Sequence, residues 1–105
     1  MQVTDEDSGR AVTITVSEEL EVTLEANPTT GYRWEVSAAD PKVLAPRPSR
    51  FVPGSMGIGS GGREILSFRG IEAGHTDLKL SLQRPFERGK PPAKEFRLTV
   101  TVIEG

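Results

Sequence analysis

The chain contains no cysteine. Disulfides are therefore excluded as a source of stability, the redox compartment is left open, and no thiol nucleophile is available. Histidine is almost as scarce. The one residue, His75, follows Gly74 at a turn signal, so a solvent-exposed side chain is expected. A metal site would need ligands grouped near it, and the sequence groups none. A serine triad equally lacks a well-placed base, so no catalytic residues are expected. There is no excess of positive charge either: lysine and arginine number 13, aspartate and glutamate 15, for a net charge of −2. That balance argues against a nucleic-acid partner and against an anionic membrane surface. No apolar run approaches the roughly 20 residues that span a bilayer. The acidic start Met1-Gln2-Val3-Thr4-Asp5-Glu6-Asp7 has neither the basic nor the apolar region of a secretory leader. A cytoplasmic protein, or a processed secreted or periplasmic form, is expected. Nothing in the composition calls for a cofactor.

What the chain does have is turns and alternation. Its 105 residues suffice for one domain, residues 1–105, with 1–10 as a loose or edge segment. Hydrophobic residues make up 35%, beside 11 glycines and 8 prolines, which suits short strands joined by frequent turns. Val12, Ile14 and Val16 alternate with polar neighbours. So do Leu20, Val22 and Leu24; Tyr32, Trp34 and Val36; Leu66 and Phe68; Leu78, Leu80 and Leu82; and Phe96, Leu98, Val100 and Val102. Each run has one wet and one dry face, as in antiparallel sheets packed on each other. The prolines of residues 41–53 exclude that segment from a sheet centre. One or two short edge strands are expected there, around Val43-Leu44 and Arg50-Phe51-Val52. Residues 37–43 could form a helical turn. The expected fold is all-β: a single immunoglobulin-like sandwich of about seven or eight antiparallel strands with Greek-key connections. Trp34 and Tyr32 are expected mainly in its core, Tyr32 propping the loop before it.

Three connections are unusual. The first, Asn27-Pro28-Thr29-Thr30-Gly31, is stiffened by Pro28, which fixes its own φ, and Gly31 can supply a positive φ. The second is the glycine-rich stretch of residues 54–62, and the third, residues 83–94, holds Arg84-Pro85-Phe86. By strand order all three fall at the same end of a Greek-key sandwich, the layout of a binding surface. Read singly, each has a plainer explanation: a strand-joining β-turn, a flexible linker, and a hairpin turn with Phe86 folded onto the core. The glycine stretch does not suit phosphate, because it lacks a following Lys-Ser/Thr and a helix.

Taken together in this order, Asn27-Pro28-Thr29-Thr30-Gly31-Tyr32, Gly59-Ser60-Gly61-Gly62 and Arg84-Pro85-Phe86 resemble the three signature motifs of the chagasin-type inhibitors of papain-like cysteine peptidases. The resemblance runs from about Thr13 to Val102. It implies a monomeric, reversible and competitive inhibitor, not an enzyme, whose partner is a papain-like cysteine peptidase. By the same resemblance the first loop sits over the catalytic cysteine–histidine pair, with Thr29 nearest the thiolate. The glycine loop lies along the non-primed cleft with Ile58 in the hydrophobic pocket. On the primed side Phe86 meets an aromatic platform and Arg84 adds polar contacts. The inhibitor blocks the nucleophile without presenting a carbonyl to the oxyanion donors. The third motif usually ends in tryptophan, and Phe86 stands there in this chain. The chemistry of the residues agrees with this: glycines allow close backbone approach, Ile58 or Met56 offers an apolar anchor, and Phe86 an aromatic one. The competing reading is a non-inhibitory immunoglobulin-like binding or adhesion module.

Overall fold

The structure, a computed structural model, describes residues 1–54, 61–87 and 89–105, with Pro28 in backbone only. These residues form eight strands: β1 (Gln2–Thr4), β2 (Ala11–Thr15), β3 (Glu19–Ala26), β4 (Arg33–Ala38), β5 (Leu44–Pro53), β6 (Gly62–Gly70), β7 (Gly74–Gln83) and β8 (Lys94–Ile103). They make two four-stranded sheets, ordered β1-β3-β6-β5 and β2-β8-β7-β4. Alternation decides which residues meet between the sheets. Leu20, Val22, Leu24, Leu66 and Phe68 of the first sheet share one buried cluster with Ile14, Leu78, Leu80, Phe96, Leu98, Val100 and Val102 of the second. Each such side chain contributes about 1.5–3 kcal/mol on burial. The architecture is the expected all-β sandwich, immunoglobulin-like in outline.

Four details depart from the sequence reading. First, the sheets are mixed and not antiparallel throughout, because β1 pairs parallel with β3 and β2 parallel with β8. The chain turns over between the layers through a 3-10 turn at Asp5–Asp7, so its two arms lie on the edges of opposite sheets. A period of two is common to both pairing directions, so alternation carries no signal for this. Second, residues 44–53 form one long strand and not short pieces. A register shift between Arg47 and Arg50 bends it, and it holds the edge position that its prolines require. Third, of residues 37–43 only the end forms the expected helical turn, a single one that starts at Asp40. Ser37 and Ala38 finish β4, and the Val43 and Leu44 amides then donate to the Asp40 carbonyl at 3.0 and 2.9 Å. Fourth, Val36, expected on the dry face, is 43% exposed, because β4 is an edge strand with an irregularity between Val36 and Ala38.

Candidate functional site

The site is built on the ends of β3, β4, β6 and β7. Ala26 pairs with Gly62, Pro53 with Gly62, and Arg33 with Gln83, so the three unusual connections leave the sandwich at one end. Trp34 lies beneath them, buried as expected. Its indole N–H donates to the Glu25 carbonyl at 3.0 Å, tying β4 of one sheet to β3 of the other.

Asn27 organises the first loop. Its side-chain oxygen accepts from the Thr29 amide at 3.2 Å and from the Thr29 hydroxyl at 2.6 Å. Its carbonyl accepts from the Thr30 amide at 3.1 Å and the Thr30 hydroxyl at 2.7 Å. Such Asx-type bonds offer the chain a local turn in place of a strand ladder, and here Pro28–Thr30 winds into a 3-10 turn. Gly31 then takes φ +82°, which a side chain would resist. Thr29 and Thr30 are exposed.

The second loop closes the β5–β6 hairpin, with the Gly54 amide donating to the Gly61 carbonyl at 2.8 Å. Of the residues expected to reach a partner from it, Ile58, Gly59 and Ser60 lie outside the described residues, as does Met56. Gly61, at φ +66°, sits where a Cβ would come 3.2 Å from the Ala26 carbonyl and 3.4 Å from Asn27 Cβ. The hairpin stem therefore touches the base of the first loop. Gly62 is tighter still: a Cβ there would collide with the Val52 carbonyl oxygen. Its lack of a side chain serves the hairpin itself.

The third loop is a turn in which the Glu87 amide donates to the Arg84 carbonyl at 3.0 Å. Phe86 stands out at 76% exposure, so the reading that folds it onto the core is overturned. One ring edge lies 3.6 Å from where a Gly31 Cβ would sit, which joins the third loop to the first. Arg84 makes the closer connection. Its Nε donates to the Thr30 carbonyl at 3.1 Å and its Nη1 to Glu87 at 3.2 Å. The guanidinium lies 4.4 Å from the centroid of the Tyr32 ring and 6.0 Å from that of Phe86. Glu87 also accepts from Lys90 at 3.0 Å, and the Lys90 bond, then the Arg84 bond, hold its carboxyl below the ordinary range. Tyr32, expected mainly in the core, is half-buried under Arg84.

The structure thus brings Asn27, Thr29, Thr30, Gly31, Gly61, Gly62, Arg84 and Phe86 to one end, with the Pro28 and Pro85 backbones in the same loops. Sequence reasoning missed Glu87 and Lys90. The spacing of three residues from Arg84 to Glu87 and from Glu87 to Lys90 was the available signal. His75 lies exposed on β7, its Nδ1 3.0 Å from the Thr101 hydroxyl.

Comparison with known proteins matches this arrangement. Amoebiasin-2 of Entamoeba histolytica is 28% identical to the chain over 108 residues, covering 95% of this chain and 83% of its own. The crystal structure of EhICP2, a cysteine protease inhibitor from Entamoeba histolytica, superposes with a TM-score of 0.83 at 20% identity, over 96% of this chain and 92% of that one. PbICP-C, solved in complex with falcipain-2, gives 0.70 at 17% identity, over 96% and 98%. At these identities the two structures speak for the fold. The family model described as chagasin family peptidase inhibitor I42 matches residues 13–100, nearly the whole sandwich and all three loops, and the chain belongs to that family of inhibitors.

Proposed function

We propose that this chain, an inhibitor of cysteine peptidases and not an enzyme, acts reversibly and competitively by seating its three loops as one wedge in the cleft of a papain-like peptidase. Family membership sets aside the adhesion-module reading. The observation that carries the mechanism is the contact between loops. The Gly61 stem abuts Asn27, and Arg84 reaches Thr30, so the first loop, the third loop and the described stem of the second form one continuous rim. A rim held together before binding loses little conformational entropy on docking. In this reading Thr29 covers the thiolate, Phe86 packs on the primed side, and Ile58 fills the apolar pocket. The solved complex of PbICP-C with falcipain-2 supports the choice of partner.

The loop chemistry suits a blocker that is not cut. Peptidase clefts pair with extended backbone, whereas Pro28–Thr30 is a 3-10 turn. The Thr29 hydroxyl already donates to Asn27, so toward a thiolate–imidazolium pair it offers an acceptor to the imidazolium N–H. An interface of about 1,600 Å² formed by rigid inhibitor loops commonly binds in the nanomolar range or tighter. Titration of active papain should therefore show sub-micromolar inhibition, recovered activity on dilution, and intact inhibitor by mass spectrometry. Serine peptidases should be unaffected. No inhibition of several papain-like enzymes at ~10 μM, far above the affinity expected of such interfaces, would refute this function.

A further inference from the structure

Arg84 belongs to the motif expected to supply polar contacts to the peptidase, yet its guanidinium is already engaged within the inhibitor. Nε holds the Thr30 carbonyl, the last of the 3-10 turn, which has no partner further along the turn. Nη1 holds Glu87, whose other oxygen is held by Lys90. The guanidinium lies over Tyr32 at 4.4 Å, with Phe86 at 6.0 Å. Other paired arginines differ. Arg10 and Arg50 are 72% and 65% exposed, with contacts of 3.4 and 3.9 Å, whereas Arg84 is 34% exposed and meets four groups from two loops. Only a planar fork can hydrogen-bond along its edge while stacking on its face, and lysine cannot reproduce this.

We propose that Arg84 is a positioning residue, an internal clamp that fixes the first loop against the third in the free inhibitor. Its contribution to inhibition is then made before the peptidase arrives. The proposal rests on the wedge reading above for its functional consequence, and on the free protein alone for its structural one. If the clamp opens, Thr30, Gly31 and Phe86 sample arrangements that do not fit a cleft. The apparent affinity falls by the fraction of molecules still competent.

The test uses Arg84→Lys and Arg84→Gln. In the free protein, amide hydrogen exchange read by NMR at Thr30, Gly31 and Tyr32 should accelerate roughly tenfold, while exchange in β3 and β7 stays unchanged. Against papain, the association rate should fall about tenfold with dissociation changed less than about twofold, the signature of a reduced competent population. Tyr32→Leu should reproduce part of the loss, and the double variant with Arg84→Gln should be no worse than Arg84→Gln alone. Glu87→Gln, which removes only the carboxylate end, should shift the same amides in the same direction by less. Unaltered exchange together with faster dissociation would overturn the clamp and make Arg84 a direct contact. A parent protein that leaves papain active would count against the wedge instead, and the exchange measurement would still decide the clamp.

Discussion

Phe86 and Gly62 show how differently two residues of the same apparent site are used. Phe86 is 76% exposed, with one ring edge 3.6 Å from where a Gly31 Cβ would sit, so its ring does little for the fold. Rim aromatics of this kind commonly cost over 2 kcal/mol of binding when truncated. Phe86→Ala should weaken inhibition at least tenfold with an unchanged melting temperature, and Phe86→Trp should hold or improve it. Gly62 is the converse. A methyl group there meets the Val52 carbonyl, backbone that cannot swing aside. Gly62→Ala should destabilise the protein by about 1–3 kcal/mol in urea titration, the usual cost of overpacking. Loss of inhibition in that variant would therefore not identify an interface residue. Gly61→Ala, strained at φ +66° by roughly 1–2 kcal/mol, is the more informative of the two. Glu87 gives a pH dependence with a defined sign. Its carboxyl is held below the ordinary value of 4.5, first by Lys90 and then by Arg84. The order it lends the third loop is therefore complete above pH 4.5 and is lost as pH falls through the lowered folded value. Chemical shifts of Phe86 and Lys90 followed by NMR from pH 6 to 3, a span on the order of the carboxylate range, should move in that lower window.

At the level of elements, the site depends on how β3 and β4 are joined beneath it. The Trp34–Glu25 bond crosses the two layers one residue below Ala26, so it fixes where the first loop departs. Trp34→Phe keeps most of the apolar volume and removes the donor. It should cost about 1 kcal/mol, the net worth of one partly buried hydrogen bond, measured by urea unfolding. Six alternating runs in the sequence became β2, β3, β4, β6, β7 and β8, because a two-residue period read against burial leaves little freedom. The motifs also located the end at which the three unusual connections leave the sandwich. What alternation could not carry was partnership. The two parallel edge pairings, the single bent β5 and the outward turn of Val36 all depend on which neighbour a strand finds. In the same way Arg84 and Tyr32 were visible in the sequence but the contacts of Arg84 with the first loop were not. Those contacts join positions more than fifty residues apart (Thr30 to Arg84), a distance that only the completed sandwich closes.

For the whole molecule, with no cysteine available, one core shared by two sheets and a single cluster of loops divide the labour. The core fixes the ends of β3, β4, β6 and β7, and the loops then brace one another across those ends. The parallel pairing of β2 with β8 has a mechanical consequence. Ala11 to Thr15 lie in register with Thr99 to Ile103, so the first strand of one sheet and the last strand of the chain run side by side in the same direction. A pull applied at the chain's two ends acts along these strands and in opposite senses. The slanted, evenly spaced bonds of a parallel ladder are then strained in shear, all at once, and cannot be peeled apart one by one. The domain should resist being drawn out from its ends far more strongly than its thermal stability alone would suggest, with the β2–β8 ladder as the seam that bears the load once the short β1–β3 pairing has parted.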